Sequence, residues 1–366
     1  MQLHVRIVRE KGDQSMTLTI NTNIASIIAE RNLNNATNSL NRSLERLTTG
    51  YKINKAGDNA AGYSISDMWD TQISSLDVAS ENASMGADLL TTAEQSYELL
   101  IGHLQRIRDL TEQAGNGTYG SASLKAIQSE IYARLQEIDR ISANSEYNGI
   151  KLMSYIDAEG ADNKGIGMTE NGIDLQVGLY ADTDSVINLD ISLFKSAAIS
   201  GLFSGGSITY TTRDEHGDPQ TTTVELSQLL TDAGGSIATL NKQAGLKALA
   251  AACSALKYDS STDSYTLLSD NPDSYGAAAM IGFIDNAIDD LTRRATKIGA
   301  AQNRIDSALS AIDVQSQNLT SSLSTLRDTD VANESSKYIQ AQILQQASAT
   351  LLATANQSPT IALNLI

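Results

Sequence analysis

Apolar residues recur every seven positions near the end of the chain: Ile284, Leu291, Ile298, Ile305, Ile312, Leu319 and Leu326. A second row, Ile288, Ala295, Gln302, Leu309, Ser316 and Leu323, is half apolar, so the pattern is a heptad seam with polar interruptions. It predicts a helix over Met280–Arg327, roughly 70 Å long at a rise of 1.5 Å per residue. Gly282 and Gly299 weaken that helix locally without ending it. A rod with one apolar seam has to pack on other helices.

Partners of the same texture lie at the opposite end of the chain. Leu33, Leu40 and Leu47, with Ala36 and Leu44 between them, make a short seam. Ile65 to Glu112 reads as a second long helix. Leu124, Ile127, Ile131, Leu135, Ile138 and Ile141 make a third, which ends at the turn signal "NSEYNG". The expected architecture is therefore mainly α: a long antiparallel helical rod and coiled-coil bundle built from both ends, with the centre looped out as a mixed α/β insertion.

Residues 151–279 have a different character. "LQVGLYADTDSVINLDI" and "SITYTTRDEHGDPQTTTVEL" carry β-branched runs broken by Asp, Gly and Pro, which predict hairpins. "QLLTDAGGSIATLNKQAGLKALAAACSALKYD" predicts turns mixed with a short Ala-rich helix. This region holds 17 acidic and 7 basic residues of a chain whose formal net charge is −17. Its charge favours an exposed position and solubility in a crowded assembly.

Composition narrows the function classes. With 3 prolines in 366 residues, long uninterrupted helices are possible. The acidic balance argues against nucleic acid, whose phosphates need clustered Lys and Arg. One cysteine, Cys253, cannot form an intramolecular disulfide and reads as a small buried apolar residue. No apolar run reaches the ~18 residues of a membrane span. The start "MQLHVRIVREKGDQS" lacks the apolar core of a secretory signal. Codons for Lys11-Gly12-Asp13 can spell a ribosome-binding sequence, so translation is expected to start at Met16, with residues 1–15 a non-native extension.

Candidate chemistry is sparse. His4, His103 and His216 are scattered, with no i, i+4 pair for zinc and no Ser-His-Asp arrangement. "GIGMTENG" lacks the spacing of a dinucleotide or phosphate loop. "DTDSVINLD" lacks the central Gly and terminal Glu of a calcium loop and reads as a turn and strand. Neither a catalytic residue, a metal ligand nor a cofactor is expected, and the chain does not read as an enzyme.

One uncharged stretch stands out. From Tyr338 to Ile366 no Asp, Glu, Lys or Arg occurs, and Thr17 to Ala29 is uncharged as well. Such a segment alone gains too little burial to offset its ordering entropy. Packed among neighbours it could bury Ile339, Ile343, Leu344, Leu351 and Leu352.

Two sets of motifs identify a family. "SLERLTTGYKINKAGDNAAGYSIS" (Ser43–Ser66), with "NTNIASIIAERNLNNATNSL" before it and "QRIRDLTEQAGNGT" after it, resembles the N-terminal region of bacterial flagellins. "LRDTDVANESSKYIQAQILQQASATLLATANQ" resembles their C-terminal region. The likeness covers about 16–191 and 280–366. Gly57 and Asn59 depart from the residues the family often carries there. Within the signature, Gly50 is placed to end a helix in a left-handed conformation, and Asp58 or Asn59 to cap the next. "YKINKAG", with Ile53 and Asn54, then becomes a connector.

The resemblance implies a subunit that polymerises with itself into an extracellular helical filament for motility. Residues 16–57 would be a filament-core segment and connector, 58–195 rod helices and hairpins, and 196–279 a variable surface domain. Residues 280–327 would be the C-terminal rod helix and 328–366 the second core segment. The terminal segments are expected to fold on assembly. Assembly residues would be Leu33, Leu40, Leu44, Leu47, Ile339, Ile343, Leu344, Leu351 and Leu352. Implied partners are a flagellar export chaperone, hook-associated proteins and cap proteins, with export by the flagellum-specific type III apparatus. Gln105, Arg106, Leu110 and Glu130 match positions by which the host Toll-like flagellin receptor recognises members of the family. The alternatives are a hook–filament junction protein of the same superfamily and a secreted membrane-active helical protein. Gln340, Gln342, Gln345 and Gln346 weigh against the latter, since buried amides are costly in lipid.

Overall fold

The computed structural model describes residues 23–153, 172–180, 182–203 and 275–363, with shorter stretches between 207 and 267. The expected start at Met16, the uncharged residues 17–22, most of "GIGMTENG", His216 and residues 364–366 lie outside the described residues. The chain divides into two compact units, one of residues 74–316 and one of residues up to 73 with those from 317 onward. The expected mainly α architecture, with helices from both ends of the chain paired and a strand-bearing insertion between them, is present and is divided between the two units. The divisions fall within two helices, α2 (Ala60–Ala114) and α6 (Tyr275–Arg327).

In the larger unit, α2 buries Leu76, Ala79, Ala83, Gly86, Leu90, Ala93, Tyr97, Leu100, Leu104, Ile107, Thr111 and Ala114. Their alternating spacing of three and four is the seam of a coiled coil. Four of the first six are Ala or Gly, and four of the last six are Tyr, Leu or Ile. The next helix, α3 (Ser121–Asn144), buries Leu124, Ile127, Ile131, Leu135 and Ile138, five of the six apolar positions expected; Ile141 is half-buried and Ser142 is buried beside it. Asn148 and Gly149 both have positive φ, 49° and 80°, and turn the chain between β1 (Glu146–Tyr147) and β2 (Ile150–Lys151). This is the Asn-Gly turn that suits the twist of a tight hairpin.

Helix α6 buries Ile284, Leu291, Ile298, Ile305 and Ile312, five members of the heptad row. Its second row differs from expectation. Ala287, Arg294 and Ala301 are buried, three residues after the first row, whereas Ile288, Ala295 and Gln302 are only half-buried. Arg294 is accommodated because its guanidinium donates to the carbonyls of Lys195 (2.9 Å) and Ser196 (3.2 Å) and pairs with Asp290. Nearby, the Tyr97 hydroxyl donates to the Leu193 carbonyl at 2.7 Å, and burial pushes its pKa up.

The insertion contains the hairpins predicted for it. β3 (Gly172–Gln176) pairs antiparallel with β4 (Val186–Asp190), from Gly172↔Asp190 to Gln176↔Val186. Between them Asp182 caps a short 3-10 turn by accepting from Ser185 N at 2.9 Å, so "DTDSVINLD" is a turn and strand. A four-residue helix, α4 (Ile199–Leu202), follows. β5 (Ser207–Arg213) pairs with β6 (Pro219–Glu225), and β7 (Leu256–Asp259) with β8 (Ser264–Leu267). The Ala-rich segment forms α5 (Gln243–Cys253), which packs on α3. Cys253 lies fully buried there, its thiol pushed up to about 12 by desolvation, and is chemically inert.

Candidate functional site

The smaller unit is dominated by two antiparallel helices from opposite ends of the chain, α1 (Ile24–Thr49) and α7 (Val331–Leu363). Each is delimited by specific caps. Asn23 accepts from Ser26 N at 3.1 Å to start α1. Gly50 ends it with φ 77°, and its N–H donates to the Arg46 carbonyl at 2.9 Å. Asp330 starts α7 by accepting from the N–H groups of Ala332 and Asn333. No neighbouring atom crowds the Cβ position of Gly50, so Gly50→Val is penalised by backbone conformation alone. We expect that variant to weaken the α1 terminus by about 1–2 kcal/mol, measurable as a lower melting temperature.

The connector between α1 and α2 is tied to the turn between α6 and α7. Lys52 N donates to the Arg327 carbonyl (2.7 Å) and Thr329 N to the Gly50 carbonyl (2.8 Å). The Arg327 guanidinium lies 4.1 Å over the Tyr51 ring and pairs with Asp70. Ile53 is buried, and Asn54 donates to the Tyr51 carbonyl at 3.0 Å. The two candidate caps separate: Asn59 accepts from Gly62 N and starts α2, while Asp58 accepts from Asn54 N and closes the loop. Asn59, a departure from the family pattern, thus serves as a working cap.

The α1–α7 seam has the three–four spacing of a coiled coil but an unusual content. From α1 it takes Ser26, Ala29, Leu33, Ala36, Leu40, Ser43 and Leu47; from α7, Glu334, Tyr338, Ala341, Gln345, Ser348, Leu352 and Ala355. Most are small or polar. Hydrogen bonds set the register: Asn23 to the Ala355 carbonyl (2.7 Å), Gln345 to Thr37 Oγ1 (3.1 Å) and Ser43 to Glu334 (2.7 Å). Eight large apolar side chains lie outside the seam. Ile24, Ile27, Ile28 and Leu44 on α1, and Ile339, Ile343, Leu344 and Leu351 on α7, are all exposed, Ile343 by 60% and Leu351 by 62%.

The candidate assembly residues therefore fall into two groups. Leu33, Leu40, Leu47 and Leu352 are half-buried between the helices. Leu44 does not lie in the seam; it is 48% exposed, and Ser43 takes the inward place. At the connector end the seam contains a charge cluster that hydrophobic periodicity does not reveal. Glu334 is buried, accepts from Ser43, and forms ion pairs with Lys337 (3.3 Å) and Arg46 (3.8 Å). Burial raises its pKa, but the Ser43 hydroxyl and the two cations outweigh that and hold it below the usual carboxylate range. The sequence cue is an acid in the first turn after the Asp330 cap, where the helix dipole favours it.

In the larger unit, Gln105 is exposed and Arg106 half-buried. Arg106 Nε donates to Glu130 at 3.1 Å, and Arg134 shares the same carboxylate. Those hydrogen bonds and charges hold Glu130 below the usual range. Leu110 is 2% exposed and belongs to the α2 core, so it does not present a contact surface beside them.

Comparisons with known proteins agree with the geometry. The chain matches the family models for the bacterial flagellin N-terminal helical region over residues 20–158 and C-terminal helical region over 281–366. It is 32% identical to flagellin D of Vibrio cholerae, over 96% of this chain and 100% of that protein. Polar flagellin F of Vibrio parahaemolyticus is 31% identical over 96% of this chain and its own full length. The flagellin of Bacillus subtilis is 31% identical over 95% of this chain and all of its own. With both terminal regions matched in one chain, and joined here as a single helix pair, the protein belongs to the bacterial flagellin family.

Proposed function

We propose that this chain is the structural subunit of an extracellular flagellar filament, polymerising through α1 and α7. The observation that carries this reading is the inverted helix pair: mostly small and polar groups between the helices, with only four half-buried leucines among them, and eight large apolar side chains exposed outside. Covering one Leu or Ile side chain is worth about 1.5–3 kcal/mol, and a free subunit forfeits that at each exposed position. Copies of the same pair, packed side by side, recover it. A seam so poor in apolar contact also suits segments that gain order on assembly. Electron microscopy of the purified chain after salt-induced assembly tests the proposal. Long regular filaments are expected, and a chain that remains monomeric while folded would refute it.

Among the described residues no helix is long and apolar enough to cross a membrane. The hook–filament junction alternative shares the same ends and is separated by cellular copy number, which is expected to be high for a filament subunit and low for a junction protein. An export chaperone and the cap and hook-associated proteins remain proposed partners by family. Host receptor recognition is proposed for Gln105, Arg106 and Glu130, which are accessible to differing degrees, with Leu110 supporting them from the core. A receptor reporter assay on monomer should give a signal that Arg106→Ala lowers while monomer helicity stays unchanged. No signal from the unmodified monomer would end that reading.

A further inference from the structure

We propose that Glu30 and Arg31 form a reciprocal ion pair between neighbouring copies of this chain, fixing how each terminal helix pair docks on the next. The inference rests on the polymer reading above and specifies one contact within it.

These two residues interrupt a region otherwise free of charge. Residues 17–29 and 32–41 carry none, nor do residues 338–366. The rungs Asn23–Ala355 and Thr37–Gln345 bracket this level, so the α7 turns beside Glu30 and Arg31 are uncharged too. Both residues are exposed, and among the described residues neither takes part in an ion pair. Adjacent positions on a helix lie about 100° apart and do not face each other. The next charge along α1 is Arg42, about 16 Å away at 1.5 Å per residue, beyond the ~8 Å screening length of physiological salt.

Their surroundings make the isolation consequential. Ile27 lies one turn before both, and Ile24 and Ile28 continue the exposed apolar patch at that end of α1. When a second copy covers the patch, the two charges beside it lose water, and a desolvated charge needs a partner. Two opposite charges at one height, on different flanks of one helix, suit a head-to-tail contact. In such a contact each copy presents one flank to the neighbour on one side and the other flank to the neighbour on the other. Glu30 of each copy then meets Arg31 of the next, and no charge is left over.

Charge exchange tests the contact. Full-length Glu30→Arg, Arg31→Glu and the double exchange are compared with the unmodified chain in growth from unmodified filament seeds and in self-seeded growth. Circular dichroism of each monomer verifies that exposed substitutions leave helicity intact. Each single variant places like charges together at every contact and should raise the critical concentration about tenfold or more. The double variant, seeded on itself, should return to within about threefold of the unmodified chain. Single variants that assemble normally, or a double variant no better than the singles, would overturn the proposal. Failure of the unmodified chain to assemble would instead refute the polymer reading.

Discussion

Leu351→Lys is expected to leave the subunit folded and to remove its capacity to form filaments. In the free chain this side chain is 62% exposed and outside the α1–α7 seam, so the lysine meets water and costs the monomer little. In the proposed polymer the same position would lie against a neighbour. Replacing Leu forfeits about 1.5–3 kcal/mol of burial, and the buried ammonium adds a further desolvation cost of several kcal/mol. A loss of only about 4 kcal/mol per contact raises the critical concentration roughly a thousandfold. Ile343→Lys should behave alike, its side chain being 60% exposed on the outer face of α7. Leu352→Lys should differ, because Leu352 is half-buried against α1 and its loss disturbs the pair itself. Sedimentation of polymer, with circular dichroism of the monomer, separates the two kinds of defect. Normal filaments from Leu351→Lys would contradict the assignment of that face.

Glu334→Ala is expected to separate the terminal helices at their connector end. The carboxylate is buried and is held by Ser43, Lys337 and Arg46. Arg46 Nε is itself buried without a hydrogen-bond partner, so removing the carboxylate leaves that guanidinium worse satisfied. We expect a loss of about 2–3 kcal/mol in the pairing of α1 with α7. The pH dependence follows from the direction of the shift. The folded pKa lies below the unfolded value of about 4.3, so the stabilisation is complete above that value. It declines as pH falls toward the folded value, where protonation removes the charge. Acid titration of helicity should therefore show a loss below about pH 4.3 that Glu334→Gln flattens. An unchanged acid limb in that variant would show that another group governs it.

Much of this architecture was legible in local pattern. The first heptad row of α6, the apolar stripe of α3, the hairpins of the insertion and the left-handed end of α1 at Gly50 each depend on periodicity or on one residue's conformational range. What depends on partners distant in sequence was not legible. Whether the second row of α6 falls three or four residues after the first is decided by the helix it meets. Arg294 is buried because the carbonyls of Lys195 and Ser196 come to it, and no periodicity encodes that. Leu44 reads as part of a leucine seam, yet Ser43 faces inward, where its hydroxyl donates a hydrogen bond to Glu334. Leu110 matches a surface motif but belongs to the α2 core. The uncharged ending could be noticed from composition. That its large apolar residues face outward required the register of α7 on α1.

Amide hydrogen exchange of the unmodified chain, compared between monomer and filament, tests the central claim most directly. Polymerisation through the outer faces of the terminal helices predicts a large gain in protection over 24–49 and 338–357, with little change along the buried seam of α3. Filaments that form without added protection in α1 and α7 would contradict it.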